Sequence, residues 1–275
     1  MENQKPWKAP ELSLTQKLEL AFDFFVQKKK WAAENKKEID MKLTLLIFFT
    51  KLFDFESFPN VLSDQNFESL PTVPLFRGTD KNENHANLLC DFDYHHGYGA
   101  ACYGIFSSTS KQVAKSYAEG NDKNVMTFKL SGNSIDFEIL GDYLSTIGKP
   151  EIKYMFDIKN HDDREKLFIV KDFFVKLCER NLPNEELSSF IMNFMLNRSL
   201  LAIILGYDAI TSNQNTYYQS VLVNDEESPL NVIILNRGAM ALKKSEFDRI
   251  CNASKKYKNG VIDFDKKSEK QFLDE

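Results

Sequence analysis

A chain of 275 residues is long enough to bury a sizeable core, so its stability requires neither a metal nor a disulfide. Its formal charge of −5 and isoelectric point near 5.6, with lysines and arginines scattered among the acids, exclude the basic stripe that neutralises the phosphates of a duplex. The cysteines, Cys90, Cys102, Cys178 and Cys251, stand far apart without CxxC or Cys/His ligand spacing, which argues against zinc and for reduced thiols in a cytosol-like compartment.

The N-terminal stretch MENQKPWKAPELS lacks an apolar signal core, and the longest apolar run, LTLLIFF at 43–49, falls far short of the roughly 20 residues of a membrane span. The expectation is a soluble chain, cytoplasmic or delivered into a host or target cell by a signal-free route. Residues 13–56 read as a helical hairpin. Ser13 and Gln16 form a capping box, Leu14, Leu18, Ala21 and Phe25 recur on one face, and a second helix spans about Lys36 to Phe53. Its phenylalanine-rich face predicts burial against the domain that follows. Residues 1–70 are accordingly one helical region packed on a core.

From Pro71 the texture changes to short apolar runs bounded by Gly, Asn and Asp, which is strand patterning. TVPLFRG predicts a strand ending at Gly78, YGIFSST a second, and NVMTFKL a third, with a short helix over SKQVAKSYAEG that Gly120 stops. A helical insertion follows at about 150–205. It closes with a helix N-capped by Asn184 and ended by Gly206, with Leu187, Phe190, Ile191, Phe194 and Leu201 on one face. YDAIT, YYQSVLV and NVIILNRG predict three further strands, and VIIL is apolar enough for mid-sheet. The remaining 243–275 reads as a charged helix near 245–258 and a frayed tail.

Arg77, in an aromatic-Arg-Gly-Thr stretch with Gly78 and Thr79, reads either as a surface ion pair or as a planar fork for a diphosphate, with Gly78 keeping the backbone open beside it. Ser108, Thr109 and Ser110 put hydroxyls at a strand end and a helix start, where they are either an ordinary polar helix cap or a brace for a sugar. His95 and His96 precede that strand, and adjacent positions of an extended chain point to opposite sides, so at most one, taken as His96, faces a cleft. Tyr117, on the following helix, is a cleft-wall aromatic.

In type and order, LFRGT and FSSTS resemble the ADP-ribosyltransferase fold, in the branch where Arg, Ser-Thr-Ser and Glu mark three successive strands. The likeness covers about residues 71–242, and GYGAACYGIFSST, AKSYA, GYDAI and VIILNRGAM are also similar to ADP-ribosyltransferase-like domains of phage head-morphogenesis proteins and bacterial toxins. The resemblance implies an α+β fold, a split β-sandwich of two small packed sheets with flanking helices. It implies NAD as substrate, held by Arg77, Gly78, Thr79, Ser108, Thr109, Ser110, His96 and Tyr117. It also implies a mono-ADP-ribosyltransferase, an effector acting on a macromolecular target that is protein rather than nucleic acid, with no metal. A carboxylate would stabilise the cation that develops as the nicotinamide bond breaks.

The family glutamate falls on Asn231 here, which can hydrogen-bond a hydroxyl but carries no charge. Glu226 and Glu227, in the preceding turn, read either as a solvated hairpin turn or as the replacement carboxylates, with Asn236, Tyr217 and Tyr218 as polar alternatives and Asp208 as a further acid. Ser108 and Asn231 complete the catalytic set. A catalytically silent binding module and an NAD glycohydrolase stand as the alternatives.

Overall fold

The structure, a computed structural model, describes residues 11–55, 58–81, 85–86, 88–89, 104–180, 183–213, 229–251, 257–258 and 261–262. Two helices come first, α1 (Leu14–Glu34) and α2 (Met41–Leu52). The Ser13–Gln16 capping box starts α1 as expected, whereas Asp40, not Lys36, starts α2, its side chain accepting the Lys42 and Leu43 N–H groups. A short strand β1 (Asn60–Leu62) and helix α3 (Asp64–Glu68) follow without a clear sequence signal.

The strand region supplies β2 (Pro74–Gly78), β3 (Ile105–Ser108), α4 (Lys111–Tyr117), β4 (Val125–Leu130), β5 (Ser134–Asp136) and α5 (Phe137–Gly148). Next come α6 (His161–Cys178), α7 (Asn184–Met195) and α8 (Arg198–Leu205), then β6 (Ala209–Asn213), β7 (Leu230–Ile234), β8 (Met240–Lys243) and α9 (Lys244–Cys251). A two-stranded ribbon of β9 (Tyr257–Lys258) and β10 (Val261–Ile262) stands where the tail helix was expected to continue. The strand expected over YYQSVLV lies outside the described residues.

The helical insertion is longer and more broken than its pattern suggested. Asp136 caps α5 ahead of it, Pro183 rather than Asn184 is the cap of α7, and α7 and α8 meet at a bend of 75°. Asn197 causes that break. Its backbone is non-helical (φ −126°, ψ 89°), and its fully buried side chain donates to the Lys42 carbonyl at 3.4 Å. Gly206 ends α8 with φ +89°, a left-handed cap that glycine takes without Cβ strain. Among the described residues no single helix is long and apolar enough to cross a membrane, and only the bent α7–α8 pair passes by length and composition together.

The chain is a mixed α/β protein around one eight-stranded mixed sheet, in the order β1-β8-β4-β2-β3-β7-β6-β5. The hydrogen-bonded order is continuous across all eight strands. Its thinnest junction among the described residues is that of β2 with β3, joined by a single register pair, Phe76 opposite Ser108, while β4 and β8 share two. By contrast, five pairs join β2 to β4 and four join β3 to β7. The order therefore consists of two four-stranded halves meeting at a seam.

One apolar cluster draws from both halves: Leu75, Met126, Phe128, Met240 and Leu242 from one, Ile105, Ala209, Val232 and Ile234 from the other, with Phe247 and Ile250 of α9. A second, larger cluster sits on the helical side, where α1, α2, α5, α6, α7 and α8 cover Ile135, Ile210 and Ile233. Strand β7 thus buries alternate residues in different clusters, which is why Val232, Ile233 and Ile234 run apolar without alternation. The helical layer closes on Phe190, fully buried, with the rings of Phe22 and Phe25 at 5.2 and 5.3 Å and those of Phe174 and Phe194 at 6.4 Å.

Phe190→Ala removes the ring on which α1, α6 and α7 converge, and is expected to lower unfolding free energy by about 3–5 kcal/mol in urea titration. Met192→Ala, on the 55% exposed outer face of the same helix, should stay within about 0.5 kcal/mol. Equal effects at the two positions would show that the phenylalanine cluster is not the core of this layer.

Candidate functional site

Alternation along β2 sends Leu75 and Arg77 to the interior and turns Phe76 and Gly78 toward α4. Arg77 is 9% exposed and lies at the seam, where its Nη1 donates to the Phe106 carbonyl of β3 at 2.8 Å. Its Nε has no hydrogen-bond partner among the described residues, and no carboxylate pairs with the guanidinium among them. Burial alone pushes the guanidinium down to about 10. The surface ion-pair reading of Arg77 is therefore set aside: this is a desolvated cation laced across the seam by one of its N–H groups.

Gly78 serves a different contact from the one its sequence neighbours suggested. A Cβ there would stand 1.7 Å from the Ala114 carbonyl oxygen, so the missing side chain lets the α4 backbone lie directly on β2. Thr79 continues the strand line, with its hydroxyl donating to the Lys81 carbonyl at 2.8 Å and its N–H to the Asn124 carbonyl at 3.2 Å. Gly78 thus seats α4 on β2, and Thr79 ties the end of β2 to the Lys81 and Asn124 carbonyls.

Each of the three hydroxyls beyond β3 accepts a backbone N–H. Ser108 Oγ takes that of Ser110 (3.1 Å), Thr109 Oγ1 that of Leu230 (2.9 Å), and Ser110 Oγ that of Val113 as the cap of α4 (3.4 Å). Each hydroxyl keeps its own proton to donate. The missed member of this run is Ser107, whose hydroxyl donates to the Val232 carbonyl at 2.7 Å and ties β3 to β7. Nothing in its type or spacing distinguished it from its neighbours.

Across the strands, Phe76, Ser108, Asn231 and Ser212 stand in one row, each pair in register on β2, β3, β7 and β6. Asn231 thus lies directly opposite Ser108, and no carboxylate side chain belongs to that row. Tyr117 is 45% exposed at the end of α4. Asp208 and Asn236 are committed to a turn: Asn236 Nδ2 donates to Asp208 Oδ1 at 2.6 Å, while Asp208 Oδ2 accepts the Asn133 N–H at 2.9 Å. Their roles as alternative site residues are thereby filled by structure. His95, His96, Tyr217, Tyr218, Glu226 and Glu227 lie outside the described residues.

One residue near Arg77 escaped the sequence reading. His85, flanked by the buried Ala86, Leu88 and Leu89, is fully buried, and Arg77, Arg249 and Glu246 act on it electrostatically. A carbonyl only accepts, so Nε2 carries the ring proton, donated to the Asn124 carbonyl at 2.9 Å, while Nδ1 is buried without a partner among the described residues. Burial foremost pushes the imidazole down to about 4, against 6.5 for the free side chain.

Below 6.5 the unfolded chain takes up a proton that the folded chain refuses until about 4, so this contribution to stability is complete above 6.5 and fades as pH falls between the two. From pH 7 to 4.5 the wild type should lose about 2–3 kcal/mol more in urea titration than His85→Gln, which keeps a donor for Asn124. Parallel losses would mean that His85 titrates normally. No protein-family model matches this chain, and neither a curated protein nor a solved structure matches it.

Proposed function

We propose that the chain binds NAD at the seam between β2 and β3 and acts as an ADP-ribosyltransferase on a macromolecular target, protein rather than nucleic acid. The observation that carries this reading is Arg77, a buried cation with an unsatisfied Nε–H and no carboxylate partner among the described residues. A buried charge of this kind is costly unless an anion completes it, and the planar fork suits a diphosphate. Support also comes from position. The strand bearing Arg77 and the one that runs into Ser108–Thr109–Ser110 are neighbours at the thinnest junction of the sheet, and the strand bearing Asn231 lies beside the latter. A split sandwich is the finer description of the fold that this reading adopts.

NAD supplies a glycosidic bond activated by its nicotinamide leaving group. Arg77 holds the anionic part on its own face of the sheet, while Ser108 and Asn231, in the row of Phe76 and so on the opposite face, reach the sugar around the strand ends at the seam, the Ser108 hydroxyl donating its remaining proton and the Asn231 amide bonding a sugar hydroxyl. Glu226 or Glu227, five and four residues ahead of Asn231, supplies the carboxylate that offsets positive charge developing on the ribose. Asn231 itself favours a second reading, a silent module that binds NAD without turning it over, because an amide offsets no charge.

Arg77→Ala should weaken NAD binding by about 2–5 kcal/mol in calorimetry, and Arg77→Lys should not restore it, since an ammonium lacks the fork. Both variants also lose the bond to Phe106, so a loss of about 1–3 kcal/mol of stability accompanies the change. Unaltered NAD affinity would leave Arg77 a strut of the seam and nothing more.

Turnover separates the two readings. Nicotinamide release from the wild type should fall about a hundred- to thousandfold in the Glu226→Gln, Glu227→Gln double variant while NAD still binds. Binding without release in the wild type selects the silent module, and Asn231→Glu is then the change that raises release. Release that survives the double variant overturns the assignment of the carboxylate.

A further inference from the structure

On the helical side of the sheet, an open cavity of 740 Å³ lies between the start of α5, the turn at 152–157 and the first turn of α6. Asp163, 2% exposed, forms part of its lining. The hydroxyls of Tyr143 and Tyr207 both donate to Asp163 Oδ2 at 3.1 Å. Asn160 Nδ2 in turn donates to the Tyr207 hydroxyl at 3.3 Å, and Asn160 Oδ1 accepts the Asp163 N–H at 3.2 Å. Both phenols are held protonated: burial first and the Asp163 charge second raise Tyr143 above its ordinary range and push Tyr207 up to about 12.

Four hydrogen bonds therefore fix this group in one orientation, and all of them leave Oδ1 without a donor among the described residues. No lysine or arginine pairs with Asp163 among them either. A buried carboxylate solvated on one oxygen only, by neutral hydroxyls, is half-satisfied, and the complement it lacks is a cation with N–H groups. The rest of the lining agrees in sign. Asp136, Asp142 and Asp157 join Asp163 there, against Lys149 and Lys159, and Lys149 already sits 4.3 Å over the Tyr154 ring. Among the described residues no group of His, Cys, Asp and Glu side chains is placed to hold a metal ion, so a bare divalent cation is not the fit.

We propose that this cavity binds a small organic cation, an amine or guanidinium on a short apolar stem, with its N–H groups on Asp163 Oδ1 and its stem along Tyr143 and Tyr207. The volume lies within the range of small-molecule sites. The aromatic walls suit the stem and attract the positive head. This site shares no residue with the seam around Arg77, and it stands or falls without the NAD reading.

The test is calorimetry on the full chain without NAD, using agmatine and tyramine as cationic probes and butyramide as a neutral one. At least one cation should bind saturably, butyramide should not, and Asp163→Asn should weaken the cation about tenfold or more, as loss of a charge-assisted bond requires. Should Asp163→Asn fail to fold, the exposed rim pair Asp142→Asn, Asp157→Asn takes its place and should weaken binding about threefold. No saturable binding by either cation, equal binding of butyramide, or undiminished binding in a folded Asp163→Asn or in the rim variant overturns the proposal.

Discussion

A sheet joined by a single rung cannot be held together there by its ladder. Among the described residues Phe76 opposite Ser108 is the whole backbone register between the two halves, and what else keeps them in place is packing, of α4 on β2 and of side chains across the seam. The cluster fed by Leu75 and Phe128 from one half and Ile105 and Val232 from the other contributes area without direction. Direction comes from Arg77, whose bond to the Phe106 carbonyl spans the seam at one point. The same side chain that laces the halves has an Nε–H without a partner among the described residues, so in the proposed reading structural strut and anion site are two uses of a single guanidinium.

The helical layer answers a different constraint. Strands β5, β6 and β7 present Ile135, Ile210 and Ile233 on the face away from the shared cluster, and that face must be covered. Six helices do so, and they can pack closely because polar groups inside the layer are paired with helix ends. Lys171 donates to the Ile147 carbonyl near the end of α5 at 3.2 Å, and Lys166 to the Leu205 carbonyl of α8 at 2.7 Å. Asn197 plays the same part at the α7–α8 bend. The break that the apolar periodicity did not reveal is a polar contact to another helix, made possible by leaving the helical conformation.

That example marks what was legible in the sequence and what was not. The capping box at Ser13, the stop at Gly206, the strand ending in Arg77 and Gly78, and the apolar VIIL all follow from local rules of spacing and turn chemistry, and each has its counterpart in the structure. The strand β1 and the helix α5 depend on distant partners: β1 pairs in parallel with β8, and α5 packs on α6 and α8. No window of sequence around them carries that information. The Tyr143, Asp163 and Tyr207 network is illegible for the same reason, since its members lie 20 and 44 residues apart and meet only when α5, α6 and the start of β6 are assembled. His85 sat within a short run of apolar residues that spoke for burial, but nothing spoke for its place beside Arg77.

Among the described residues are two buried charges of opposite sign with an atom left without a partner: the Arg77 cation at the seam and the Asp163 carboxylate in the helical layer. A chain selected for stability alone would pair such groups or replace them with apolar residues of like volume, which is often neutral or stabilising. Each is instead oriented by neutral hydrogen bonds, Arg77 by a carbonyl and Asp163 by two phenols, which hold the charged group in place without cancelling its charge. Orientation without neutralisation is what a ligand site needs, because the energy left unclaimed in the folded chain becomes available on binding. The two places are built from different elements and differ in sign, so the ligands proposed for them differ in kind: a phosphate-bearing anion at the seam, a small organic cation in the cavity beside Asp163.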